Sequence, residues 1–142
     1  MENWMKAKQQ MMPIDLVVTY VDSSDEVWQR SLSQFNVSYS KCRFRNWNLM
    51  NYWFRGIERN MPFIRTLHFV VSNIEQVPDW LDQSKVHVVL HEDIIPEQLL
   101  PTYNSTTIEM FLCKIPDLAE HFIYSNDDTF ANNLTSPLHF FT

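Results

Sequence analysis

An α/β fold with a mainly parallel sheet in three layers is predicted by three observations. Runs rich in β-branched and aromatic residues stop at polar clusters, as residues 14–21 stop at Asp22-Ser23-Ser24-Asp25. Between such runs, apolar residues recur at helical spacing, as Met50, Trp53, Phe54, Ile57 and Met61 do. The elements follow one another as strand, helix, helix, strand, strand, helix, strand, an order that covers both faces of a sheet with helices. A chain of 142 residues suits one core. Residues 1–13 read as a polar N-terminal extension and 14–142 as a single α/β domain.

The first strand, residues 14–21, follows Pro13 and is expected at the centre of the sheet. A helix follows, with Ser24 or Asp25 as its cap and Val27, Trp28 and Leu32 facing inward. Residues 46–61 read as a long amphipathic helix terminated by Pro62. Strands are predicted over 66–71 and 85–90, with a short turn or helix at 78–81 between them, and a loop with two prolines follows over 96–103. The next helix opens at residues 104–109, and its inner face is Ile108, Phe111, Leu112 and Ile115. Thr106 and Glu109 fit a capping box, which would give Glu109 a structural role. Residues 122–125 form the last strand.

Composition excludes several functions. With 45% hydrophobic and 20% charged residues the chain is globular. A net charge of -6 argues against a nucleic-acid surface, which needs Lys and Arg against phosphates. The N-terminus reads as no signal peptide, and no stretch approaches the roughly 20 apolar residues of a membrane span, so no transmembrane segment is expected. Cys42 and Cys113 match no metal or redox spacing and read as reduced thiols of a cytoplasmic protein. The glycosylation-type triplets at Asn36, Asn104 and Asn133 then read as chance matches. Gly56 is the only glycine, which rules out a glycine-rich phosphate loop. Leu138, Phe140 and Phe141 are apolar residues expected to seek a partner surface, through self-association or a complementing C-terminal chain.

Chemistry is expected after the last strand, at Asn126-Asp127-Asp128. Ligands of open α/β sheets sit beyond the carboxyl ends of the strands. Two adjacent carboxylates resist joint burial unless a cation or donors compensate them. Hard oxygen ligands suit Mg²⁺ or Mn²⁺, which bridge protein to substrate phosphates; the alternative is a polar turn. Asp22 and Asp25 read either as turn and cap or, for Asp22, as a third carboxylate in the same crevice. Lys41-Cys42-Arg43-Phe44-Arg45 is a basic cluster, so Arg43 or Arg45 suits a diphosphate, a solvated loop or an ion pair. His91 ends the third strand and reads as structural or as a ligand or acid–base group.

Several blocks together resemble one family. Residues 14–25 are similar to the opening block of the Stealth proteins, the sugar-1-phosphate transferases of capsular and exopolysaccharide synthesis. These are related to the lysosomal-enzyme N-acetylglucosamine-1-phosphotransferase. Phe44-Arg45-Asn46-Trp47, residues 52–58, Pro78-Asp79-Trp80-Leu81, residues 100–105, Ile108-Glu109 and residues 122–128 resemble the second block. The resemblance implies a Rossmann-like or glycosyltransferase A-like fold, here incomplete. It implies transfer of a hexose-1-phosphate from a nucleotide-diphosphate sugar to a hydroxyl of a glycan acceptor.

By the same resemblance the catalytic acidic pair falls on Glu109 and Asp128, and the metal, Mg²⁺ or Mn²⁺, on Asp127 and Asp128. Thr19, Asp22, Asp25, Arg45, Asn104, Ser105 and Asn126 are the implied substrate-binding residues. The family's later histidine and arginine blocks have no counterpart here, and its usual glycine near residues 73–76 is missing. The chain is therefore expected to be a fragment that does not turn over alone. Two other readings are a small metal-dependent glycosyltransferase and a non-catalytic remnant that binds a nucleotide sugar or a partner.

Overall fold

The structure, a computed structural model, describes residues 12–35 and 44–141. Lys41, Cys42, Arg43, the triplet at Asn36 and most of the N-terminal extension lie outside the described residues. Among the described residues four parallel strands form one sheet: β1 (Ile14–Thr19), β2 (Ile64–Val71), β3 (His87–Leu90) and β4 (His121–Asn126), in the order β3-β2-β1-β4. The helices are α1 (Glu26–Gln34), α2 (Met50–Asn60), α3 (His91–Ile94) and α4 (Ser105–Phe111). The α/β class and the parallel sheet are as the sequence predicts.

Alternation along the strands builds two cores. Leu16 and Val18 of β1 join Phe69 and Val71 of β2 under Met50, Trp53 and Ile57 of α2. The intervening Val17 and Val70 pack on the other face with Val89, Ile94, Leu112 and Ile115, and Ile108 and Phe111 of α4 border that cluster. Inner strands buried on both faces explain why β1 and β2 read as continuous apolar runs.

Besides shifts of one or two residues at the ends of β2, β3 and β4, three details of the elements differ from or refine expectation. β1 ends at Thr19, two residues before Val21; Tyr20 N still donates to Val70 O at 3.0 Å, and the chain then enters a polar turn. α2 begins at Met50 and not at Asn46, because Asn48 takes a left-handed φ of 54° and donates its N–H to Asn46 Oδ1 at 2.8 Å. α4 is capped by Asn104, whose side chain accepts from Thr106 N at 3.0 Å. Thr106 is thus inside the helix, and the capping box expected for Glu109 does not form.

At the amino end of the sheet Asp15 is fully buried and accepts four hydrogen bonds. Arg65 donates two, at 2.9 and 2.7 Å, His68 Nε2 lies at 3.0 Å and Ala119 N at 2.8 Å. His68 Nδ1 in turn meets His87 Nδ1 at 2.8 Å, which ties β1, β2 and β3 together. The segment after β4 folds back over α2, where Trp53 Nε1 donates to Thr129 O at 2.8 Å and Thr135 N to Asn60 O at 2.8 Å. Gly56 permits this close approach, since a Cβ there would stand 3.2 Å from Ala131 O. Leu138 remains 84% exposed, whereas Phe140 leans on Phe63 and Phe141 meets His121 edge-on.

Candidate functional site

The strand order fixes where a ligand goes. From β1 the chain moves to β2 and β3 on one side, then crosses back to place β4 on the other side of β1. The switch point lies between the carboxyl ends of β1 and β4, where Thr19 and Asn126 are register partners. A crevice of about 320 Å³ opens there, and Thr19, Tyr20, Ser105, Asn126, Asp127 and Asp128 help to line it.

Tyr124 organises the crevice wall. It lies two residues before Asn126 and on the same face of β4. Its hydroxyl stands 3.1 Å from Thr19 Oγ1, 2.9 Å from Asn126 Oδ1 and 3.3 Å from Glu109 Oε1. Burial, with the Glu109 carboxylate behind it, pushes the phenol above its usual pKa. Glu109 is exposed on α4, free of cap duty, and joins the crevice through this hydroxyl. Tyr124→Phe removes the shared atom and is expected to cost about 0.5–1.5 kcal/mol in urea unfolding with the slope unchanged.

Asp127 and Asp128 carry the uncompensated charge. Asp127 is pushed up to about 6 by burial and then by the adjacent Asp128 charge. Neither forms an ion pair among the described residues. On the α2 side the same two carboxylates border a second cavity of about 220 Å³ with Tyr20, Arg45, Asn46 and Trp47. Arg45 stacks over Trp47 at 5.2 Å, and both line this cavity with the two carboxylates.

Asp22 does not turn into the crevice as a third carboxylate. Its Oδ1 accepts from Ser24 N at 2.9 Å, Ser24 Oγ at 2.7 Å and Asn46 Nδ2 at 3.1 Å. Burial alone would raise this carboxyl, but those bonds hold it below its usual pKa. Asp25 caps α1, accepting from Val27 N at 2.9 Å and Trp28 N at 3.3 Å, so of the two expected caps it is Asp25 that serves. Asn104 is likewise occupied as the cap of α4. Among the described residues no group of three or more His, Cys, Asp or Glu side chains forms a metal-ligand set.

Sequence reasoning passed over Gln76, Asn46, Tyr20 and Tyr124. Gln76, only 1% exposed, donates to Asp25 Oδ2 at 2.7 Å and Asp22 O at 3.1 Å, clamping the β1 loop to the β2 loop. Asn46 Nδ2 reaches both Asp22 and, at 3.3 Å, the Tyr20 hydroxyl. His91, weighed as structural or functional, is buried and lines the crevice. Burial lowers its pKa to about 4, so it is neutral at pH 7.

Fold and site together define an α/β protein with an acidic, tyrosine-lined ligand crevice at its switch point. The chain belongs to the Stealth family: the model of Stealth protein conserved region 2 matches residues 43–142. An exopolysaccharide phosphotransferase of Lactiplantibacillus plantarum, cps2G, is 40% identical over 91% of this chain and 39% of its own length. The capsular polysaccharide phosphotransferase WcwK of Streptococcus pneumoniae is 41% identical over 92% of the chain and 41% of its own. A capsular polysaccharide phosphotransferase of Neisseria meningitidis serogroup B is 39% identical over 91% of the chain and 38% of its own. The chain thus spans about two fifths of the length of these relatives. No helix among the described residues is long and apolar enough to cross a membrane.

Proposed function

We propose that this chain takes part in transferring a hexose-1-phosphate from a nucleotide-diphosphate sugar to a glycan hydroxyl in capsular or exopolysaccharide synthesis. The observation that carries the reading is the pair Asp127 and Asp128 at the β1–β4 switch point, uncompensated and beside Thr19 and Asn126. The naming of its relatives as phosphotransferases supports the same reaction class.

The cofactor this reading implies is a divalent cation of the Mg²⁺ or Mn²⁺ kind. Such ions are held by one or two carboxylates together with water and substrate phosphates, which Asp127 and Asp128 suit. A bound cation would neutralise diphosphate charge and the charge that builds on the departing phosphate. Arg45, across the second cavity, adds a fixed positive charge on the other side of the phosphates. Thr19 and Asn126, oriented through Tyr124, supply hydrogen bonds along the crevice, and Glu109 positions a sugar hydroxyl at its rim.

In the proposed reaction the acceptor oxygen bonds to the β-phosphorus and the bond to the bridging oxygen breaks. Nucleoside monophosphate leaves, and the acceptor proton passes to a base. Residues 1–142 hold no counterpart of the histidine and arginine blocks that the resemblance assigns to the reaction. We therefore read this chain as binding donor without turning over alone.

Calorimetry with Mn²⁺ and a nucleotide sugar tests the site. Binding by the wild type, lost in Asp128→Asn, is the expected result; equal binding by both would remove the acidic pair from the site. Incubation with an oligosaccharide acceptor tests the chemistry. Sugar transfer without retained phosphate would assign the chain to glycosyl transfer, and robust turnover would overturn the reading that it is inactive alone.

A further inference from the structure

Beside the switch-point crevice lies a larger recess of about 640 Å³, over the carboxyl ends of β2 and β3. Trp28, Ser72, His91, Thr102 and Tyr103 line both cavities, so the two adjoin through shared walls. We propose that this recess receives the nucleoside end of the donor, with the diphosphate in the adjoining crevice. The inference rests on the function proposed above and specifies which part of that substrate each cavity takes.

Topology gives the first argument. In doubly wound folds the phosphates sit at the switch point and the nucleoside lies over the strand ends of one half. Here Ser72 and Asn73 follow β2 and His91 follows β3, and all three line the recess. Arg45 lines the cavity beyond Asp127 and Asp128 and not the recess, so the cation that lines the groove lies at the end away from the recess.

The lining chemistry gives the second. No Lys or Arg lines the recess, while Glu92 and Glu97 do, which disfavours phosphate and offers acceptors to N–H and O–H groups. Asn73 Oδ1 is buried with no hydrogen-bond partner, and the ring of His91, a residue 7% exposed, makes no hydrogen bond among the described residues, its backbone carbonyl alone being engaged by Ile95 N. Buried polar groups are ordinarily satisfied, and an exocyclic amine or a ribose hydroxyl would satisfy these. Trp28 and Tyr103, their rings crossed at 79° and 5.9 Å apart, give the same recess a wall for a flat heterocycle. A glycan acceptor shares the hydroxyls but lacks a flat ring, and the groove joins this recess to the diphosphate site.

The test is calorimetry of the 142-residue chain with Mn²⁺ and, in turn, the four common ribonucleoside diphosphates, inorganic pyrophosphate and a neutral oligosaccharide. Ser31→Trp fills the recess from α1, and Glu97→Trp fills it from an exposed rim position that tolerates the change if Ser31 does not; thermal unfolding checks both. The expected result is that both variants weaken the preferred nucleoside diphosphate at least about tenfold while pyrophosphate binds as to wild type. Unchanged diphosphate binding in folded variants overturns the proposal, and loss of the oligosaccharide alone assigns the recess to the acceptor instead. A wild type that binds pyrophosphate no less tightly than any nucleoside diphosphate also overturns the nucleoside pocket, leaving the crevice reading intact. A wild type that binds none of them overturns the proposed function and the pocket with it.

Discussion

Asp15→Ala is expected to destabilise the fold by about 3–5 kcal/mol, the range for removing one partner of a buried ion pair. The carboxylate is fully buried, and its loss strands the Ala119 N–H and the His68 ring, both of buried residues. Arg65→Met is expected to cost less, because the Arg65 side chain is 45% exposed and its charge is partly screened. Burial would raise the Asp15 carboxyl, but the bonds from Arg65, His68 and Ala119 outweigh it and hold the pKa at about 2. A folded-state pKa below the unfolded 3.8 means that the unfolded chain binds the proton more tightly. The stabilisation, about 2 kcal/mol, is therefore full above pH 4 and fades as pH falls toward 2. Urea unfolding at pH 7 and pH 3 measures both effects. A cost below about 1 kcal/mol for Asp15→Ala at pH 7 would show that the network is dispensable.

The helices and strands that pack on both sides were the legible part of the chain. β1 and β2 are apolar on two faces, and α2 carries Met50, Trp53 and Ile57 at helical spacing, so burial itself writes the pattern. Polar ends were less legible, since Asp, Asn, Ser and Thr serve caps, turns and sites alike. Asn104 and Thr106 are both good caps, and only the backbone reveals that Asn104 is the one used. Asp22 was left open between turn residue and third carboxylate for a comparable reason, although a local signal for the turn was present. In Asp22-Ser23-Ser24 and again in Asp82-Gln83-Ser84 the aspartate accepts from both the N–H and the hydroxyl of the serine two residues on. Asp127 has no such serine, and the one backbone N–H it meets, its own, does not offset burial and the Asp128 charge. Tyr124 escaped notice because an aromatic in a strand reads as core, and its hydroxyl becomes significant only once β1 and α4 are packed beside it.

Asp127→Asn is expected to strengthen the fold while abolishing Mn²⁺-dependent nucleotide binding. Burial and the neighbouring Asp128 raise the Asp127 carboxyl from 3.8 to about 6. The folded state then holds the proton more tightly than the unfolded one. Stability from this group is present below pH 3.8 and lost as pH rises through 6, leaving a penalty of about 2–3 kcal/mol at pH 7. Asparagine keeps the shape without the charge, so a gain of about 1–2 kcal/mol at pH 7 and almost none at pH 3.5 is expected, the lower figure allowing for partial exposure. A cation bound between Asp127 and Asp128 would offset the same penalty, so the strain of the free site and its affinity have one origin. In the wild type, cation affinity should fall as pH drops below about 6, because the proton competes for the same oxygen. Thermal unfolding at the two pH values, with and without Mn²⁺, separates the contributions. An Asp127→Asn chain that is less stable at pH 7, or that still binds Mn²⁺ and nucleotide, would show that Asp127 serves the turn and not the ligand. The opposite outcome, a more stable protein that has lost its ligand, is what a carboxylate kept for binding at the expense of the fold must give.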